Sequence, residues 1–191
     1  MVYVVLVFEM LRLWLSPDAM QIDRLNTLAV MMGFEFIMIH SGVFMSVMPR
    51  KISLFFLIPF YSTFAFAMNT MVSGNTILWL YFGVVLLRMR FAFSNPSPHQ
   101  KQRAILVSIC AALLYFLLLV FMVLIADLIP KFGLTNTFLN ESGYRDSLKS
   151  GGVFLDMPHV PMAMGVIYFT LIAFMEAKFY GLLKFHNKKS I

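Results

Sequence analysis

From residue 104 to residue 126 the chain carries no charged side chain, and residues 52–72 carry none either. Runs of this kind leave few solutions. About 20 apolar residues in helical form cross a hydrocarbon core some 30 Å thick, and inside that core each segment must satisfy its own backbone N–H and C=O groups. The fold class expected is therefore all-α, a polytopic helical membrane protein. Composition agrees, with hydrophobic residues at 60% and charged ones at 13%, against about 45–50% and about 25% in soluble domains. The single cysteine, Cys110, has no intrachain partner, which excludes a disulfide framework.

Five spans are legible: residues 26–48, 52–72, 76–93, 104–127, and a fifth from 161 to about 185 that is interrupted by Glu176 and Lys178. The chain reads as one transmembrane helical domain, residues 1–191, with an outer loop at about 130–161. Basic residues give it a direction. Around alternate loops Arg50, Lys51, Arg88, Arg90, Lys101, Arg103, Lys178, Lys184, Lys188 and Lys189 fall on one side, whereas the other holds Arg24, Lys131, Arg145 and Lys149 among six acidic residues. By the positive-inside rule the first group is cytoplasmic, which predicts a bacterial inner-membrane protein with both termini inside. The net charge of +6 is then a topology signal. Nucleic acid is not expected as a partner, because no solvated domain is there to carry a basic patch.

Residues 1–15 are short for a span and carry Glu9 within their apolar part, followed by a poor cleavage site at Ser16-Pro17-Asp18, so a removable signal peptide is not expected. Glu9, Arg12 and Ser16 share one helical face, which predicts a short sixth crossing with Glu9 and Arg12 paired. Ser16 followed by Pro17 predicts a short helix start ahead of the first long span. A proline-containing break is expected at residues 94–98. Asn140-Glu141-Ser142 matches a glycosylation acceptor, a motif frequent by chance.

Two ionisable residues sit in the first long run, Glu35 and His40. Near a bilayer centre such groups cost about 2.5–3.5 kcal/mol on insertion scales and normally face a bundle interior. Five residues apart, they are separated by about 140° around a helix, so they cannot chelate together and point to different neighbours. Small-residue steps from Ala29 to Gly33 and from Gly42 to Ser46 accompany the two faces, predicting a central helix approached closely on two sides. Counted from the outer end, Glu35 lies about nine residues in, His40 about fourteen, Arg88 about twelve and Glu176 about fourteen. Tyr61 and Ser62 add hydroxyls at similar depth, and Pro59 frees the carbonyl of Phe55. The expectation is a polar layer of Glu35, His40, Arg88, Glu176, Tyr61 and Ser62, in which Glu35 meets Arg88 and His40 meets Tyr61 or Glu176.

Three functions compete for that layer. The first is structural, polar glue between helices in a membrane protein of unassigned activity. The second is proton- or cation-coupled transport of a small solute, since a desolvated carboxyl and an imidazole both titrate near neutral pH. The third makes the chain an accessory subunit, with its 16 methionines and 21 phenylalanines packing against lipid, a second copy or a membrane partner protein. Enzyme chemistry has less support. His99, His159 and His186 are not placed to share a haem with His40, and the His-Glu-x-x-His pattern of metallohydrolases is absent. No cofactor is expected. Asp156 and His159 form a weak metal-ligand pair that lacks a third member.

Overall fold

The computed structural model describes residues 2–93 and 98–187, with the side chains of Arg88 and Glu176 among those outside the described set. The expected break at residues 94–97 also lies outside the described residues. Ten α-helices carry the chain: α1 (Val2–Leu15), α2 (Ile22–Val47), α3 (Arg50–Ile52), α4 (Ile58–Asn69), α5 (Thr76–Phe93), α6 (Pro98–Leu124), α7 (Asn136–Glu141), α8 (Tyr144–Ser147), α9 (Val153–Asp156) and α10 (His159–Asn187). No strand occurs among the described residues, so the all-α class holds. Within the same residues one stretch, Ile105–Leu124, is long and apolar enough to cross a membrane. Ser53–Asn69, Thr76–Leu86 and His159–Met175 are apolar but shorter, so five full-length crossings are not all met on this measure.

The central helix is α2, which packs against α4, α5, α6, α9 and α10. The most extensive pairing joins α1 to α10. Its closest point is Gly165, where a Cβ would lie 2.2 Å from Sδ of Met10 and 3.1 Å from Sδ of Met32, so the missing side chain lets α1, α2 and α10 converge. The close approach expected at Gly33 is not found. A Cβ there would meet nothing within 4 Å, because the small-residue face of Ala29 and Gly33 borders a cavity instead of a neighbouring backbone.

Pro59 shapes the second long apolar segment. It has no amide hydrogen to give to Phe55, and the preceding turn, Ser53–Leu57, opens into π geometry, with the Ile58 N–H bonded to the Ser53 carbonyl. The turn between α1 and α2 also departs from expectation. Asp18, not Ser16, caps it, accepting from the Met20 N–H at 3.0 Å ahead of a single 3-10 turn at Ala19–Gln21. Glu9 does pair with Arg12, at 3.4 Å, and it receives Arg24 of α2 at the same distance. The outer loop folds into a small cap of α7, α8 and α9, pinned by buried Tyr144, whose hydroxyl donates to the Leu155 carbonyl at 3.0 Å.

Candidate functional site

Glu35 opens on a cavity of about 160 Å³ bounded by four helices. Each helix contributes one face at helical spacing: Glu35 and Ile39 from α2, Ser108 and Ala111 from α6, Tyr168 and Ile172 from α10, with Tyr3 of α1 closing one side. The Tyr168 hydroxyl donates to Oε1 of Glu35 at 3.5 Å. Rings hold that hydroxyl in place. Tyr168 packs edge-on against Tyr115 at 5.4 Å and Phe169 at 5.1 Å, and Phe169 stacks on Tyr3 at 6.0 Å. Tyr115 is anchored in turn, its hydroxyl donating to the Met32 carbonyl one turn before Glu35. A carboxyl group thus stands beside several hydroxyls in a partly enclosed space, an arrangement able to hold a proton or to bind a cation.

The direction Glu35 takes follows from the helix. Phe34, one residue and about 100° away, packs against Tyr81 of α5 at 6.3 Å, so the Glu35 face turns toward α6 and α10. The expected pairing of Glu35 with Arg88, and every expected contact of Glu176, falls on side chains outside the described residues.

His40 does not reach Tyr61. Its Nδ1–H donates to the Phe36 carbonyl of its own helix at 2.6 Å, and its ring packs on that of Phe36 at 4.4 Å, a one-turn reach that competes with any partner across the bundle. Phe36 lies 5.9 Å from Tyr115, so rings, not hydrogen bonds, connect His40 to the Glu35 neighbourhood. Tyr61 is buried on α4 and packs edge-on against Phe60.

Ser62 belongs to a separate knot. Its hydroxyl donates to the Ile58 carbonyl at 2.8 Å and lies 3.1 Å from the Tyr81 hydroxyl, which itself donates to the same carbonyl at 2.6 Å. The carbonyl that draws α4 and α5 together is thus Ile58, immediately before the proline, and not the freed carbonyl of Phe55. The single layer expected from depth therefore divides into a packed knot at Ser62 and Tyr81 and a cavity at Glu35. Tyr3, Tyr81, Ser108 and Tyr168 were not anticipated. Their signal was available as tyrosine and serine hydroxyls inside apolar runs, each of which needs a partner when buried.

The Asp156 and His159 pair is drawn into separate backbone bonds. Asp156 Oδ2 accepts from the Gly152 N–H at 3.0 Å, and Nε2 of buried His159 meets the Ala126 carbonyl at 3.4 Å. Among the described residues no group of three or more His, Cys, Asp or Glu side chains gathers to hold a metal ion. Burial pushes the Tyr144 phenol above its ordinary range, with nearby Asp156 adding to the shift. The His159 imidazole is pushed down, first by burial.

Comparison with known proteins supplies no relative: no family model, no curated protein and no solved structure matches the chain.

Proposed function

We propose that the chain is a multi-pass inner-membrane protein that passes protons or a small cation through the Glu35 cavity. In this reading the apolar segments make five crossings, α1 makes a short sixth, and both ends are cytoplasmic. Outward-facing apolar surface supports the membrane setting. The Ile105–Leu124 stretch has a mean hydropathy of 2.9 with only 11% of its most apolar window buried, and Phe55, Trp79 and Leu86 on neighbouring segments are exposed. Such a surface is costly in water and matched by lipid.

The observation that carries the transport reading is the cavity at Glu35, lined by Tyr3, Ser108 and Tyr168. A carboxyl used only as glue between helices would be expected in a closed contact, like the one Ser62 and Tyr81 make. At Glu35 there is space for water or an ion beside the charge. The test is flux. Proteoliposomes containing the wild-type chain and a pH-sensitive dye are expected to dissipate an imposed proton or sodium gradient faster than protein-free vesicles, and Glu35→Gln is expected to slow that at least tenfold. Equal rates for wild type and Glu35→Gln would remove Glu35 from any mechanism. A chain that is silent alone but co-purifies in mild detergent with a second membrane protein would favour the accessory-subunit role.

A further inference from the structure

A second, larger cavity of about 330 Å³ lies nearer the outer end of the bundle. Its floor is the Ala29 and Gly33 face of α2, its sides include Met71 beyond α4 and Leu119 of α6, and Gly152 and Leu155 of the cap lie over it. Both α4 and α6 flank α2 but scarcely touch each other, which leaves the slot open sideways between them. Gly33 keeps the floor low, since a Cβ on it would enter open space.

One end of this apolar slot is polar. Asn26, about one turn closer to the outer end than Val30, gives its Nδ2–H to the Met71 carbonyl at 3.0 Å, while its Oδ1 is buried without a hydrogen-bond partner. Ser150, next to Gly151 in the cap, has a buried hydroxyl in the same condition. Lys149 gives its Nζ to the Val72 carbonyl at 3.2 Å, beside Met71. An ammonium has three donors, so two remain for an anion. Native chains rarely leave buried polar atoms unmet, and those here flank the mouth of an apolar slot.

We infer that this cavity binds one acyl chain of an outer-leaflet anionic glycerophospholipid, with the lipid phosphate on Lys149 and its ester and hydroxyl groups beside Ser150 and Asn26. The occupant follows from the match of polarities. At about 30 Å³ per group, the share of one water molecule, the slot holds a chain of roughly ten methylenes, and the outer end of α2 brings Lys149 to head-group level. The inference rests on the helices lying in a bilayer and is independent of Glu35.

Delipidated protein in mild detergent, titrated with phosphatidylglycerol or with phosphatidylcholine and followed by native mass spectrometry, tests it. The wild type is expected to take up one phosphatidylglycerol before any other lipid. Gly33→Leu, which fills the slot, is expected to weaken that first binding at least tenfold with an unchanged thermal midpoint. Lys149→Gln, on an exposed side chain that leaves folding intact, is expected to weaken phosphatidylglycerol about fivefold and to remove its preference over phosphatidylcholine. Wild-type binding in both variants, or no saturable first site in the wild type, would overturn the inference. Should Gly33→Leu fail to fold, the Lys149→Gln comparison decides alone. Lipid retained by a chain that carries no ions would count against the flux reading only.

Discussion

The Tyr168 hydroxyl of α10 reaches Oε1 of Glu35 on α2 at 3.5 Å, and the same Tyr168 ring is wedged between Tyr115 and Phe169. Hydroxyl and ring do different work at this contact. The bond is long for an O–H donor, whose usual range ends near 3.0 Å, whereas the ring is buried to 2% exposure.

Tyr168→Phe is therefore expected to cost less than about 1 kcal/mol, in line with interhelical bonds in membranes, while Tyr168→Ala costs about 3–5 kcal/mol through the cavity it leaves. Thermal unfolding in detergent separates the two. A Phe variant as damaged as the Ala variant would mean that the hydroxyl, not the ring, holds α10 on α2. In proteoliposomes the Phe variant should still slow proton flux, because it removes a hydroxyl beside the carboxyl.

Gly165 offers a sharper mechanical test. A Cβ there would lie 2.2 Å from Sδ and 2.9 Å from Cε of Met10, itself fully buried. Gly165→Leu is expected to destabilise the bundle by about 1–3 kcal/mol or more, as overpacking does. Met10→Ala alone should also destabilise, but the double variant should be less damaged than the sum of the two, since the shortened side chain vacates the space the new one needs. Simple additivity would show that α1 and α10 do not meet at this point.

These particular residues mark how far the sequence could be read. Helical class, the centrality of α2 and the Glu9–Arg12 pair follow from apolar runs and i, i+3 or i, i+4 spacing, which are local properties of one helix. The neighbours of Glu35 do not, because depth along a helix says nothing about which helix lies beside it. Gly33 and Gly165 illustrate the limit. Both are small residues in apolar helices, yet one borders empty space and the other a methionine at contact distance. His40 shows another limit, since its carbonyl partner lies on its own helix and competes with every distant hydroxyl.

Tyr81 and Ser62 share one acceptor, the Ile58 carbonyl, and also bond to each other. Tyr81→Phe should cost about 0.6–1.7 kcal/mol, the span of membrane interhelical bonds. Ser62→Ala should cost less, because the Tyr81 hydroxyl still satisfies the carbonyl. A double-mutant cycle measured by thermal melting is expected to be non-additive, with the second substitution changing little once the first has opened the knot. Independent effects would mean that the two hydroxyls serve separate contacts.

His159 sets a pH dependence at the outer edge of the bundle. Burial is the main cause lowering its pKa; the Ala126 carbonyl opposes it, Lys131 adds to it and Asp127 opposes it. Above the ordinary histidine value of about 6.5 the imidazole is neutral in both folded and unfolded chains, and its burial carries no protonation cost. As pH falls through that value the unfolded chain takes up a proton that the folded chain does not, so stability declines until the lowered folded-state value is passed. The melting temperature in detergent is expected to fall between pH 7 and pH 5, and His159→Gln, which retains a donor for the Ala126 carbonyl, should flatten that slope. An equally steep slope in the variant would assign the acid sensitivity to another group and leave His159 as a neutral packing residue at every pH.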